Sequence, residues 1–156
     1  GSIRVYIKKD KKVKVEISVK KMLKDEEKIG IKNFKTYKKF GEKVYKIRQN
    51  VLANIKKIKD KNKTIIGYGA PAKATTALNF FVILKEIDFI VEDNKLKHNK
   101  FIPGVKIPIK NKSQIKNKKN TLLVLAWNFY KDIKKNNFDL SDNFINIKEL
   151  ESSNLK

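Results

Sequence analysis

The sequence predicts an α/β fold, a half-sized parallel sheet of Rossmann-like type with flanking helices. Three observations predict it. From residue 64 onward, short apolar runs alternate with helical stretches, the grammar of strand–helix–strand units with right-handed crossovers. "TLLVLAW" (121–127) is apolar throughout, as a strand covered on both faces must be. "KTIIGYGAPAKATTALNF" (63–80) climbs into two glycines, breaks at a proline and resumes as a helix, so a strand feeds a tight turn.

Before that sheet, "GSIRVYIKK" (1–9) alternates Ile3, Val5 and Ile7 with polar residues and reads as a strand. "EISVKKMLKDEEKIG" (16–30) has apolar residues at helical spacing and ends on Gly30, a good helix stop. Residues 33–61 form a long amphipathic helix with a stripe of Tyr37, Phe40, Val44, Ile47, Val51, Ile55 and Ile58. The near-heptad spacing leaves two readings, a helix lying on its own domain or a coiled-coil homodimer through 33–61.

The sheet then takes about four strands: "KTIIGYG", "IDFIVED" (87–93), "TLLVLAW", and "NFINIKEL" (143–150). The helix opened by Ala70-Pro71-Ala72 follows the first, "NFYKDIKKNN" follows the third, and a short weak helix is expected in "KSQIKNKKN". Residues 94–109 read as a loop turned by Pro103-Gly104. The domain division is 1–62 for the N-terminal strand and connecting helices, 63–150 for the α/β domain, and 151–156 for a tail.

Composition narrows the chemistry. No Cys is present, which removes disulfides, thiolate catalysis and Cys-based zinc sites and makes a reducing cytoplasm the expected location. No apolar run reaches the ~20 residues of a membrane span, and no cleavable signal peptide is visible. The formal net charge is +22, yet Arg4 and Arg48 are the only arginines among 38 basic residues. A lysine-, asparagine- and isoleucine-rich mixture is what an A/T-rich genome produces. Specific nucleic-acid readers need arginine forks, and no aromatic–arginine interleaving appears. Weak attraction to polyanions at low salt remains.

Gly67, Gly69 and Ala72 fit G-x-G-x-x-A between a strand and a helix. Such a turn permits backbone approach to a phosphate, with Lys73 and the hydroxyls of Thr75 and Thr76 nearby. Glu92 and Asp93 end the next strand, where an acid takes a sugar hydroxyl. The rival reading is a tight connection with no ligand. Trp127-Asn128-Phe129 follow the third strand at the carboxyl edge, where open sheets bind ligands, or serve to anchor that edge. His98 is the sole histidine and reads as an exposed bystander; "DEE" (25–27) reads as a solvated helix face. Only about 90 residues follow position 64, too few for both halves of a dinucleotide domain or for a self-sufficient S-adenosylmethionine site.

"GYGAPAKATTALNF", "IVEDNKLKHNKFIPGVKIPI" and "LLVLAWNFYKDI" together resemble the C-terminal domain of sugar C-methyltransferases, enzymes that add a branch methyl to nucleotide-linked deoxysugars. "GSIRVYI" is similar to the strand that closes the methyltransferase core of that family. On the family motifs fall Gly67, Tyr68, Gly69, Ala70, Ala72, Lys73, Thr76 and Asn79, then Glu92, Lys97, Pro103 and Gly104, then Trp127, Asn128 and Phe129. Pro71 lies within the first motif and Asp93 beside Glu92. Ala74, Ala77, Asn99 and Asp132 depart from the family pattern, as does Glu in place of Asp at 92. The resemblance implies a substrate-binding role for these residues and no catalytic or metal-binding residue in this chain. It also implies an upstream methyltransferase domain as partner, holding S-adenosylmethionine and a structural zinc, and a nucleotide sugar, of the thymidine-diphosphate type, in the cleft between. The alternatives are a structural docking or dimerisation domain with an empty turn, and a polyanion-binding module.

Overall fold

The computed structural model describes residues 3–10, 12–60 and 64–153. The chain forms two compact units, Gly1–Lys43 and Val44–Lys156. The first holds α1 (Ile17–Ile29) and the start of α2 (Phe34–Asp60). Gly30 closes α1 in the left-handed conformation, its N–H bonded to helix carbonyls, as expected of a glycine stop. No residue of α1 is buried. The expected strand over 1–9 is not formed in residues 3–9: they are exposed and pair with no strand among the described residues. Alternation makes a strand only where a neighbouring edge supplies hydrogen bonds. Gly1 and Ser2 lie outside the described residues.

The second unit is a five-stranded, all-parallel sheet in the order β3-β2-β1-β4-β5. Its strands are β1 (Ile65–Tyr68), β2 (Phe89–Val91), β3 (Ile109–Lys110), β4 (Thr121–Val124) and β5 (Asn143–Asn146). The fifth strand is the one missed in the sequence. Ile109-Lys110 is only two residues long and follows Pro108, so periodicity carries no signal there. The last strand is shorter than expected, because Asn146 caps a 3-10 turn over Ile147–Glu151 through its side chain. The weak helix after β3 is likewise a 3-10 turn, Lys112–Gln114.

Successive strand residues face opposite layers. Ile65, Ile90, Leu123 and Ile145 pack on one face with α3 (Ala72–Phe81) and the second half of α2. From these helices come Ala74, Leu78 and Phe81, and Val51, Ile55 and Ile58. Ile66, Tyr68, Val91, Leu122, Val124 and Phe144 face the other layer, covered by α4 (Tyr130–Asn136) and Leu140. The apolar stripe of α2 is thus buried from Val51 on, the reading of a helix lying on its own domain. Asn54, 1% exposed inside that stripe, donates to the carbonyls of Leu150 and Ser152 at 3.0 and 2.8 Å. Asn50 donates to that of Glu151 at 2.8 Å, so α2 clasps the end of the chain. The chain winds one way from β1 and the other way from β4, which places the topological switch point between these strands at their carboxyl ends.

Candidate functional site

Gly67 to Lys73 lead out of β1 at the switch point. A Cβ on Gly67 would stand 2.6 Å from Ile90 Cγ1, so glycine lets β2 and the following layer close in. Gly69 has φ +86°, a conformation that L side chains resist, and a Cβ there would meet Ala126 Cβ at 2.8 Å. The two glycines therefore bring the turn after β1 against the chain leaving β4. Pro71 precedes α3 and Ala72 opens it.

The next residues close the turn from within. The Ala70 N–H donates to Glu92 Oε2 at 2.8 Å, and the Ala70 carbonyl accepts from Lys97 Nζ at 3.0 Å. Glu92 Oε1 accepts from the Asn94 N–H at 3.1 Å, and Lys97 also reaches Glu92 Oε2 at 3.4 Å. Burial pushes the Glu92 carboxyl upward, but the two N–H groups and the Lys97 ammonium outweigh it and hold it below its ordinary range. His98 Nε2 lies 2.7 Å from the Glu92 carbonyl oxygen. This histidine is half-buried rather than an exposed bystander, and it fixes the backbone that carries the acid.

Tyr68 points to the other side of the sheet. It is buried, and its hydroxyl lies 3.0 Å from Asp93 Oδ2 and 3.2 Å from Asn137 Oδ1, either of which accepts its one hydrogen. Burial first, and then the Asp93 hydrogen bond, push this phenol far above its ordinary range, so it stays a donor. Lys112 Nζ stands 3.8 Å from Asp93. Asn79 ties α3 to the following loop by donating to the carbonyls of Thr75 and Pro103. Thr76 is exposed on α3.

Across the switch point, Trp127-Asn128-Phe129 form a 3-10 turn directly after β4. Trp127 is half-buried against the core, whereas Asn128 is exposed and Phe129 is 62% exposed. Lys73 Nζ sits over the Trp127 ring, 4.0 Å from its centroid. Lys148, in the 3-10 turn after β5, brings a second ammonium to 5.8 Å from the same centroid. Neither lysine has a carboxylate partner among the described residues. Lys148 escaped sequence reasoning because nothing separates it there from dozens of other lysines.

The fold thus gathers Gly69 to Lys73, Glu92, Lys97 and Trp127 along one carboxyl edge. It sends Tyr68 and Asp93 to the opposite layer and uses Asn79 as a loop tie. Cavities of about 330 and 290 Å³ lie elsewhere: the first is lined by Thr64, Ile66, Phe89 and Asn120, among others, and the second by His98, Asn99 and Lys110 among others. Neither is lined by these site residues. No group of three or more potential metal ligands occurs among the described residues. No helix among them is long and apolar enough to cross a membrane.

Residues 1–145 match the family model described as the C-methyltransferase C-terminal domain. The chain belongs to that family. The C-methyltransferase NovU of Streptomyces niveus is 30% identical to it over 131 residues, which cover 83% of this chain and 31% of that protein. This C-terminal domain therefore spans less than a third of the length of that relative, and family membership implies a domain upstream of it. The three segments singled out in the sequence, around Gly67, Glu92 and Trp127, meet at the carboxyl edge.

Proposed function

We propose that this chain is the substrate-binding C-terminal domain of an S-adenosylmethionine-dependent C-methyltransferase acting on a nucleotide-linked deoxysugar of the thymidine-diphosphate class. The convergence of the glycine turn, Glu92–Lys97 and Trp127–Phe129 at one switch point carries this reading. The edge is one wall of a cleft whose other wall belongs to an upstream domain. Phe129 offers exposed aromatic surface to the substrate, beside half-buried Trp127, and Lys73 a cation.

At this strand end an acid takes ribose hydroxyls, and here Glu92 already accepts from two backbone N–H groups of the chain itself. In this reading the cofactor and a structural zinc belong upstream, in a cytoplasmic enzyme, and the chain alone transfers no methyl group.

A second reading is favoured by the same saturation of the turn: a structural domain that docks against the upstream domain and binds nothing by itself. An amide-shift titration of the chain with thymidine diphosphate, S-adenosylmethionine, nicotinamide dinucleotide and a short DNA duplex at about 150 mM salt separates the readings. Shifts with thymidine diphosphate alone, centred on Lys73 and Trp127–Phe129, are expected. Silence from all four supports the docking reading, and a response to DNA alone supports a polyanion-binding module.

A further inference from the structure

A glycine turn at a switch point is normally where an anion sits, because its N–H groups are free. In this chain an internal anion already sits there. The Ala70 N–H is spent on Glu92, and a phosphate brought to it would face that carboxylate at close range. Glu92 also holds Lys97, whose ammonium is further committed to the Ala70 carbonyl. An anion on this edge is therefore better met at a distance from Glu92.

Lys73 and Lys148 bring positive charge to the edge without a carboxylate partner among the described residues. They come from different elements, the first turn of α3 after β1 and the 3-10 turn after β5, and converge on the indole that follows β4. The strands β1, β4 and β5 are consecutive in the sheet, so the two lysines follow the strands on either side of β4. Two ammonium groups at one ring repel each other, and the π face compensates each only by about 1 kcal/mol at an exposed site. A doubly charged anion placed between them compensates both. We propose that Lys73, Trp127 and Lys148 form a diphosphate subsite, with Glu92 as the group that turns anions away from the glycine turn and toward that pair. The diphosphate class rests on the nucleotide-sugar reading; the location and the role of Lys148 rest on geometry alone.

The chain has a single Trp, so its fluorescence and its indole N–H resonance report on this subsite directly. The test titrates the chain with inorganic pyrophosphate at about 150 mM salt, where diffuse attraction is largely screened. Trp127 is expected to respond. Lys73→Ala and Lys148→Ala are each expected to weaken the response about tenfold, the loss of one charge-assisted contact. Lys134→Ala, which removes a lysine from the exposed side of α4, is expected to leave it unchanged. Glu92→Gln is expected to add a pyrophosphate-dependent shift at the Ala70 amide that the wild type lacks. No Trp127 response, a wild-type shift at Ala70, or equal effects of Lys148→Ala and Lys134→Ala overturns the proposal. Thymidine diphosphate binding no tighter than pyrophosphate, with both lysine variants impaired, leaves the subsite standing and defeats the nucleotide reading instead. Tight thymidine diphosphate binding unaffected by Lys148→Ala does the reverse.

Discussion

At the scale of single residues, Glu92 contributes most to the turn's local order. Its two oxygens satisfy the Ala70 and Asn94 N–H groups, so Glu92→Ala strands the part-buried Ala70 donor and leaves the exposed Asn94 donor to water, and is expected to cost about 1 to 2 kcal/mol in urea denaturation. The pH dependence follows from the lowered carboxyl. A group that is more acidic when folded stabilises the fold fully above its unfolded value, near 4.5, and the contribution is lost as pH falls through the folded value. The stability difference between wild type and Glu92→Gln is therefore expected to be constant near neutrality and to shrink below about pH 4.5. A difference that grows on acidification would contradict the Glu92 assignment. Gly69→Ala must place a side chain at φ +86° with its Cβ 2.8 Å from that of Ala126, an expected loss of about 2 to 3 kcal/mol by the same assay.

At the scale of elements, α2 divides into two halves with different consequences. Ile55, 1% exposed under the sheet, is expected to cost about 3 kcal/mol on truncation to alanine. Phe40 is 65% exposed, and Phe40→Ala is expected to change stability by less than about 0.5 kcal/mol. If wild-type unfolding is instead concentration-dependent and Phe40→Ala lowers the oligomer mass in sedimentation, the helix is a dimer seam. The helices, the glycine turn and the long strands were legible because each has a period or a stop residue of its own: the Val51–Ile58 stripe, Gly30, the Ile65-Ile66 run into Gly67. What was not legible depends on partners far along the chain. Ile109-Lys110 is a strand only because β2 lies beside it, and Asn54 is buried only because the carbonyls of Leu150 and Ser152 reach it. The 1–9 stretch errs in the other direction, since its alternation says nothing about which edge it would join. The same holds at the site: motif spacing located Gly69, Lys73 and Trp127, but not that Glu92 fills the turn or that Lys148 completes the pair.

At the scale of the whole molecule, a net charge of +22 on 156 residues makes the folded chain repel itself. The described ion pairs do little to offset this, since they are few and mostly solvent-exposed. Raising sodium chloride from about 10 to about 500 mM shortens the screening length from roughly 30 Å to a few Å, and the urea midpoint is expected to rise with it. That rise belongs to the lysine-rich composition and is shared by every anion at equal ionic strength. A localised anion site adds a second component, because a ligand bound to the native state alone stabilises it by mass action. Pyrophosphate at matched ionic strength is therefore expected to raise the midpoint beyond chloride, and Lys148→Ala to remove the excess while keeping the common rise. If chloride and pyrophosphate coincide at every ionic strength, the charge of this domain is diffuse, and its carboxyl edge contributes no anion site of its own to the cleft.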